Sequence, residues 1–484
     1  MNRPIRRIAI AFVVLFLVLL VNINYIQVIQ APDLNARSDN RRVLLDEYAR
    51  QRGPILVGGR PVASSVATDD DLVYLRKYAS PDLYGHLTGY YSFIYGRSGV
   101  EKVENSVLAG TDNRFFVRRL VDMLTNRPAQ SGDVSLTINP RLQEIAHREL
   151  GDKKGSVVAY EPTTGKVLAM VSHPTWDPNK LSSHSAKEIT ANWKELLADK
   201  TKPMENRAIQ RRYPPGSTFK LVTAAAALTS RKYNLETQIP GPAVLDLPQT
   251  SRNITNHDNR ACKDGQVTLQ EALEISCNTA FANVGLTLGA DALREQAEKF
   301  GFGTRMFPEL DGASSAFPAA GKIDKPQTAM SSIGQYDVAA TPLQMAMVTG
   351  AIANRGKVMK PYLIDQVRGP DTLPLETTEP TELGQAVTPE VADQLKQMMV
   401  NVVDNGTGKP ARIDGVSVGG KTGTAQTTPD RPPFAWFVSF APADDPKVAV
   451  AVVIEEANVA PDDISGGKLA APIAKALMEE VIGR

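Results

Sequence analysis

Residues 8–21 are apolar without a break. Asn22 and Asn24 interrupt the run, and Tyr25, Ile26 and Val28 extend it. As a helix, residues 8–26 are long enough to span a hydrocarbon core of about 30 Å. Arg3, Arg6 and Arg7 stand ahead of it. A signal peptidase site needs small residues two apart, and Ile29-Gln30-Ala31 is a poor match. A buried core helix rarely follows so basic a start. The preferred reading is an uncleaved signal anchor, with its arginines inside and the chain beyond it outside. A cleaved signal and a core helix are the alternatives.

Residues 29–138 are polar and irregular. Ile55-Leu56-Val57 and Val73-Tyr74-Leu75 read as short strands, punctuated by Gly53-Pro54, Gly58-Gly59 and Gly96. At Asn139 the pattern changes. Leu142, Ile145, Ala146 and Leu150 recur at helical spacing, and Gly151 ends the segment. Residues 155–159 and 166–171 are β-rich and flank Glu161-Pro162-Thr163-Thr164-Gly165, which predicts a hairpin. Helical patterns follow over 220–228, 269–288 and 343–354. Residues 416–424, 434–440 and 448–454 read as strands, and 470–482 as a closing helix. Helices in the middle with strands from both ends predict an α+β domain, an antiparallel sheet backed by helices. The expected divisions are 1–28 (cytoplasmic stub and anchor), 29–138 (a small, mostly β pedestal or interaction domain) and 139–484 (the α+β domain).

The chain has 484 residues, enough for several domains and a large core. Lys+Arg total 54 against 53 for Asp+Glu, so no overall basic field favours nucleic acid as a partner. His86, His147, His173, His184 and His257 show no metal-binding spacing, and with two cysteines present no zinc site or other metal is expected. Beyond an export signal, Cys262 and Cys277 lie in a compartment that permits disulfides. They read as a bonded pair or as two free buried thiols.

The sharpest chemical signal is Pro214-Pro215-Gly216-Ser217-Thr218-Phe219-Lys220. The prolines forbid a helix before Gly216, and the alanine-rich run after Lys220 favours one. Ser217 then sits at a helix start with Lys220 one turn on. A serine hydroxyl needs a base to become a nucleophile, and a lysine serves if burial keeps it neutral. The plainer alternative is a capping serine beside a solvated lysine. Ser465-Gly466-Gly467-Lys468 has the same spacing, in a Gly-Gly segment with no helix expected behind it. Ser-x-Asn occurs as Ser38-Asp39-Asn40, Ser251-Arg252-Asn253 and Ser276-Cys277-Asn278, the last following a helical run. Lys-Thr-Gly occurs once, as Lys421-Thr422-Gly423, followed by Thr424.

Taken in order, Ser-x-x-Lys, Ser-x-Asn and Lys-Thr-Gly form the motif set of penicillin-recognising serine enzymes. The chain resembles the class B penicillin-binding proteins, the peptidoglycan D,D-transpeptidases, over nearly its whole length. Arg52-Gly53-Pro54-Ile55, His86, Thr88-Gly89-Tyr90 and Gly96-Arg97-Ser98-Gly99-Val100-Glu101 are similar to boxes of that family's N-terminal part. Trp176-Asp177-Pro178-Asn179, Thr341-Pro342-Leu343-Gln344-Met345-Ala346, Gly406-Thr407-Gly408, Trp436-Phe437-Val438 and Gly466-Gly467 are similar to boxes of its catalytic part. Val57-Gly58-Gly59 stands where the family usually has Asp-Arg, and Gly334-Gln335-Tyr336 where Gly-Gln-Gly is common. The short N-terminal part looks most like the penicillin-binding protein A branch of actinobacteria.

The resemblance implies a transpeptidase fold and a mechanism without cofactors. Ser217 attacks the penultimate D-Ala carbonyl of a stem peptide, and Lys220 takes its proton. Ser276, Asn278 and Lys421 hold the proton network. Thr422, Gly423 and Thr424 bind the substrate, with the two threonines on its terminal carboxylate. D-Ala leaves, and an amine of a neighbouring stem resolves the acyl-enzyme. β-Lactams mimic D-Ala-D-Ala. The implied setting is the cytoplasmic membrane, catalytic domain outside, beside a membrane glycan polymerase of the shape or division type. A D,D-carboxypeptidase or β-lactamase-type hydrolase and a β-lactam-sensing receptor are the alternatives.

Overall fold

The computed structural model describes residues 3–30, 34, 45, 47–116, 121, 124–125, 130–426, 432–460 and 463–483. The apolar N-terminal run is a helix, α1 (Arg3–Asn24), continued by a π turn over Tyr25–Ile29. None of its side chains is buried. It is long and apolar enough to cross a membrane. Asn24 satisfies its own amide by donating to Leu20 O at 2.8 Å, which lowers the cost of a polar residue there.

The strands that matter here are β1 (Ile55–Val57), β2 (Arg60–Ala67), β3 (Tyr74–Tyr78), β4 (Asp133–Leu136), β5 (Lys154–Tyr160), β6 (Val167–His173), β7 (Ile364–Arg368), β8 (Pro374–Thr377), β9 (Gly419–Ala425), β10 (Phe434–Ala441) and β11 (Val448–Glu456). They build two sheets. The first has six strands in the order β8-β7-β4-β1-β2-β3. Its β1–β2 hairpin turns on Gly58 and Gly59, with φ of 55° and 75°, which explains the Gly-Gly pair. The segment 29–138, irregular by sequence, thus contributes most of a sheet, and β7 and β8 arrive from beyond residue 139. Val73 is outside β3. Its φ of 53° belongs to the turn that precedes the strand.

The second sheet is antiparallel, ordered β9-β10-β11-β5-β6. Its side chains are apolar on both faces. Val157, Ala159, Phe437, Val450 and Val452 pack with α2 (Pro140–Leu150) and α8 (Ala471–Ile482). Val158, Tyr160, Trp436, Val438 and Val453 belong to the core on the other face. That side holds α3 (Lys220–Thr229), α4 (Leu269–Glu274), α5 (Asn278–Leu288), α6 (Pro342–Ala353) and α7 (Pro389–Asp404). Every residue of α6 is buried, and its two polar side chains are satisfied there, Gln344 Nε2 by Phe300 O at 2.8 Å and Thr349 Oγ1 by Met345 O at 2.8 Å. Two-sided burial explains why β10 and β11 read as continuous apolar runs.

Three expected boundaries shift. The strand foreseen over 416–424 begins at Gly419, because Val416 instead bridges Ile413 in a tight turn. The Ser465 segment does have a helix behind it. Ser465 accepts from Lys468 N at 3.3 Å, capping a π turn over Gly466–Ala470 that runs into α8. The pattern over 269–288 is two helices, taken up below.

The first sheet carries a buried charge cluster. Arg52 and Arg76 each place Nε 2.6 Å from a different oxygen of Glu101, and all three side chains are buried. Tyr78 donates to the same carboxylate at 3.2 Å. Burial works to raise the Glu101 pKa, but Arg76 and Arg52 prevail and lower it. Glu101→Ala should cost about 3–5 kcal/mol in urea denaturation, since buried Arg76 loses its carboxylate and Arg52 keeps only Glu47, 3.7 Å away. A depressed carboxylate stabilises above its unfolded pKa of about 4.3 and loses that contribution as pH falls through the folded value. Glu101→Gln should therefore flatten the acid side of the stability curve. Unchanged acid dependence would show that the cluster contributes nothing.

Candidate active site

Pro214 and Pro215 deliver the chain to a 3-10 turn, Gly216–Phe219, that leads directly into α3. Gly216 has φ 53° and sits against β9, where an added Cβ would lie 3.1 Å from both Thr424 O and Ala425 Cβ. Gly334 covers it from the other side. A Cβ on Gly334 would fall 2.2 Å from Gly216 O, and Gly216 N donates to Gly334 O at 3.0 Å. Trp436 Nε1 donates to Pro214 O at 3.0 Å, and Thr218 Oγ1 to Pro215 O at 2.7 Å. Phe219 anchors the turn in the core, stacked on Phe317. The turn is fixed, and Ser217 stays partly exposed upon it.

Lys220, the first residue of α3, is fully buried. Its Nζ donates to Asn278 Oδ1 at 2.7 Å and Ser276 O at 2.7 Å, and lies 3.3 Å from Ser276 Oγ. Lys421, equally buried, donates to Ser276 Oγ and to Thr422 O, each at 2.9 Å. Ser276 thus joins both amines. Burial, followed by the charge of Lys421, pushes the Lys220 pKa well down. Burial lowers Lys421 to about 7. Neither amine has a carboxylate partner among the described residues, so the neutral form is favoured.

This meeting depends on the break in the 269–288 pattern. A capping box of Thr268 and Glu271 starts α4, and its last turn closes with Ile275 N on Glu271 O. Ser276 then takes φ 60°, a left-handed conformation that no helix continues through. The apolar periodicity runs on because both helices bury one stripe, with Leu269, Ala272 and Leu273 in α4 and Ala280, Phe281 and Val284 in α5. The elbow turns Ser276 and Asn278 into the cleft. Cys277, between them, is disulfide-bonded to Cys262.

The third wall is β9, paired along its length with β10. Gly423 must be glycine, because a Cβ would sit 2.9 Å from Thr218 Cγ2 and 3.0 Å from Trp436 Cβ. Thr422 Oγ1 lies 2.7 Å from Thr407 Oγ1, and Thr424 is partly exposed beside the Ser217 turn. Gly466 packs on the same region, where a Cβ would fall 1.8 Å from Trp436 O. Asn256, Thr407 and Gly334 were not given roles by sequence. Only Thr407 and Gly334 fell in recognisable boxes, and Asn256 carried no signal.

The other matches separate cleanly. Lys468 pairs with Asp463 at 2.7 Å on the surface, so Ser465 to Lys468 is a cap. Ser251 and Arg252 are exposed ahead of a short strand, Asn253–Thr255. Ser38-Asp39-Asn40 lies outside the described residues.

A serine on a pinned turn with two desolvated amines around a second hydroxyl is the equipment of an acyl-transferring serine enzyme. The family model described as "Penicillin binding protein transpeptidase domain" matches residues 155–479, and one described as "Penicillin binding protein A dimerisation domain" matches 52–134. The peptidoglycan D,D-transpeptidase PbpA of Mycolicibacterium smegmatis is 45% identical, over 98% of each chain. PbpA of Mycobacterium tuberculosis is 43% identical, over 100% of this chain and 99% of that one. A penicillin G acyl-enzyme structure of M. tuberculosis penicillin-binding protein A superposes with TM-score 0.84 at 42% identity, covering 90% of this chain and 100% of that one. The chain belongs to the penicillin-binding protein transpeptidases, in the class B branch that contains PbpA.

The lysine pair predicts the pH profile of acylation. Lys421 is held near 7 and Lys220 well below its ordinary value, so as the pH falls from about 7 the amines take up protons in turn and acylation should slow, giving an acid limb. Lys421→Ala removes a charge that depresses Lys220, so the limb should move to higher pH as well as fall in height. Stopped-flow acylation between pH 5 and 9 reads both effects. A limb that stays in place would separate the two amines electrostatically.

Proposed function

We propose that the protein is a membrane-anchored peptidoglycan D,D-transpeptidase working through an acyl-enzyme at Ser217. The observation that carries this reading is the chain of direct contacts from Lys220 through Ser276 to Lys421, with Ser217 one turn ahead of Lys220. Neutral Lys220 accepts the Ser217 proton as Oγ attacks the penultimate D-Ala carbonyl. The tetrahedral oxygen is met by backbone N–H groups of Ser217 and Thr424, an oxyanion hole formed where the turn lies on β9. Collapse breaks the peptide bond and returns the proton to the departing D-Ala amine, by way of Ser276 and the lysines. Thr422 and Thr424 receive the terminal carboxylate, and Asn278 the substrate amide. The amine of a neighbouring stem then attacks the ester, forming the crosslink and freeing Ser217.

β-Lactams enter the same path and stop at the ester. No carboxylate hydrogen-bonds to Lys220, Ser276 or Lys421 among the described residues, so no acid group is placed there to activate water. That supports a transferase over a hydrolase. α1 supports a single membrane crossing with the catalytic domain outside. The N-terminal sheet, its arginines locked on Glu101, serves as a rigid pedestal, and a membrane glycan polymerase of the shape or division type is the partner we assign to it.

Intact-mass spectrometry after incubation with benzylpenicillin should show one covalent adduct, mapping to Ser217 and absent in Ser217→Ala. An adduct on Ser465, or full labelling of Ser217→Ala, would overturn the assignment. With a thioester stem analogue, added D-amino acid should be incorporated at the expense of hydrolysis. Hydrolysis indifferent to a saturating acceptor would make the protein a hydrolase.

A further inference from the structure

Helix α5 begins without a capping side chain of its own. Its N-cap residue is Cys277, whose sulfur is held in the disulfide and makes no cap hydrogen bond. Helix starts leave backbone donors that need acceptors. Here the first two are met from elsewhere in the chain. Asn256 Oδ1 accepts from Asn278 N at 3.0 Å and Thr279 N at 3.2 Å. The Asn256 side chain lies under the elbow and is buried. Its amide cannot flip without loss, because Nδ2 donates to Pro242 O at 3.0 Å and Arg260 O at 2.8 Å.

The residue before it acts on the same asparagine. Thr255 O accepts from Asn278 Nδ2 at 2.9 Å, which leaves Asn278 Oδ1 facing Lys220 Nζ. Backbone and side chain of Asn278 are thus both oriented by the 255–256 segment. We infer that Asn256 is a positioning residue for acyl transfer, capping α5 through space so that Asn278 Oδ1 meets the Lys220 amine. It touches no reacting atom. The inference rests on the proposed Ser217 chemistry, and an offset of about 1 Å in such a group costs up to about a hundredfold in rate.

Three variants test it: Asn256→Ala, Asn256→Asp and Asn283→Ala. The last is a control, since Asn283 Nδ2 bonds Pro240 O at 2.8 Å from farther along the same helix. Penicillin acylation is followed by stopped flow to separate the encounter constant from the acylation step. Asn256→Ala should slow the acylation step about tenfold or more, with the encounter constant within about twofold. Asn256→Asp keeps an acceptor for both helix N–H groups but loses the two bonds to Pro242 O and Arg260 O and turns an oxygen toward them, so its acylation step should fall between those of Asn256→Ala and wild type. Asn283→Ala should match wild type.

Asn256→Ala acylating at wild-type speed would overturn the inference. So would an equal fall in Asn283→Ala. If Asn256→Ala does not fold, Asn256→Asp decides: a slower acylation step with the encounter constant within about twofold supports the inference, and wild-type speed overturns it. A wild-type protein that fails to acylate at all would instead overturn the proposed function.

Discussion

Lys220 and Lys421 reach one hydroxyl, Ser276 Oγ, at 3.3 and 2.9 Å, and neither amine is exposed. Two ammonium groups that close in a poor dielectric repel strongly, so the pair resists carrying two protons at once. Shedding the charge of one lysine is the cheapest relief. The site therefore holds a neutral amine next to the Ser217 turn at a pH where a free lysine would be cationic. That condition lasts only while the three walls bearing these groups keep their spacing.

Each wall is held by another. The Ser217 turn rests on Gly334 from behind and on β9 from below, at contacts that leave no easy room for a Cβ. β9 carries Lys421 and is kept flat against the turn by Gly423 and by Trp436, which ties β10 to Pro214. The elbow between α4 and α5 is fixed by Asn256 and by the disulfide. Apolar packing on both faces of the second sheet supplies the stiffness behind these contacts. A polar, charge-poor site is affordable because so little around it can relax.

The sequence carried this site unevenly. The Ser217–Lys220 spacing and the apolar strands were legible because each depends on local chemistry: prolines before a helix, a lysine one turn on, and two-sided burial. The β9 motif gained meaning only through the ordered set and the family resemblance. The elbow was not. Ser276 breaks the helix through its backbone angle and contacts from residues 255–262, while the apolar stripe continues unbroken across it. Asn256 was invisible for a related reason, since a cap supplied by a distant loop leaves no mark at the helix it serves. Strands β7 and β8 were missed because their short, mostly polar stretches find partners only in three dimensions. The second Ser-x-x-Lys shows the opposite hazard, a correct spacing used for capping a surface turn.

The borrowing of β7 by the first sheet bears on how the molecule is made. β4 pairs with β1 on one side, but its other edge is met by β7, with Asp133 bonded to Arg368 across 235 positions of sequence. A nascent chain emerges from its N-terminus, so β4 is made long before the strand that covers it exists. Through that interval its edge is open to pairing with other chains. The first sheet is sealed only after most of the transpeptidase domain has been made. Completion of that sheet is thereby coupled to synthesis of the domain that follows it, and a chain truncated before residue 364 leaves the β4 edge uncovered.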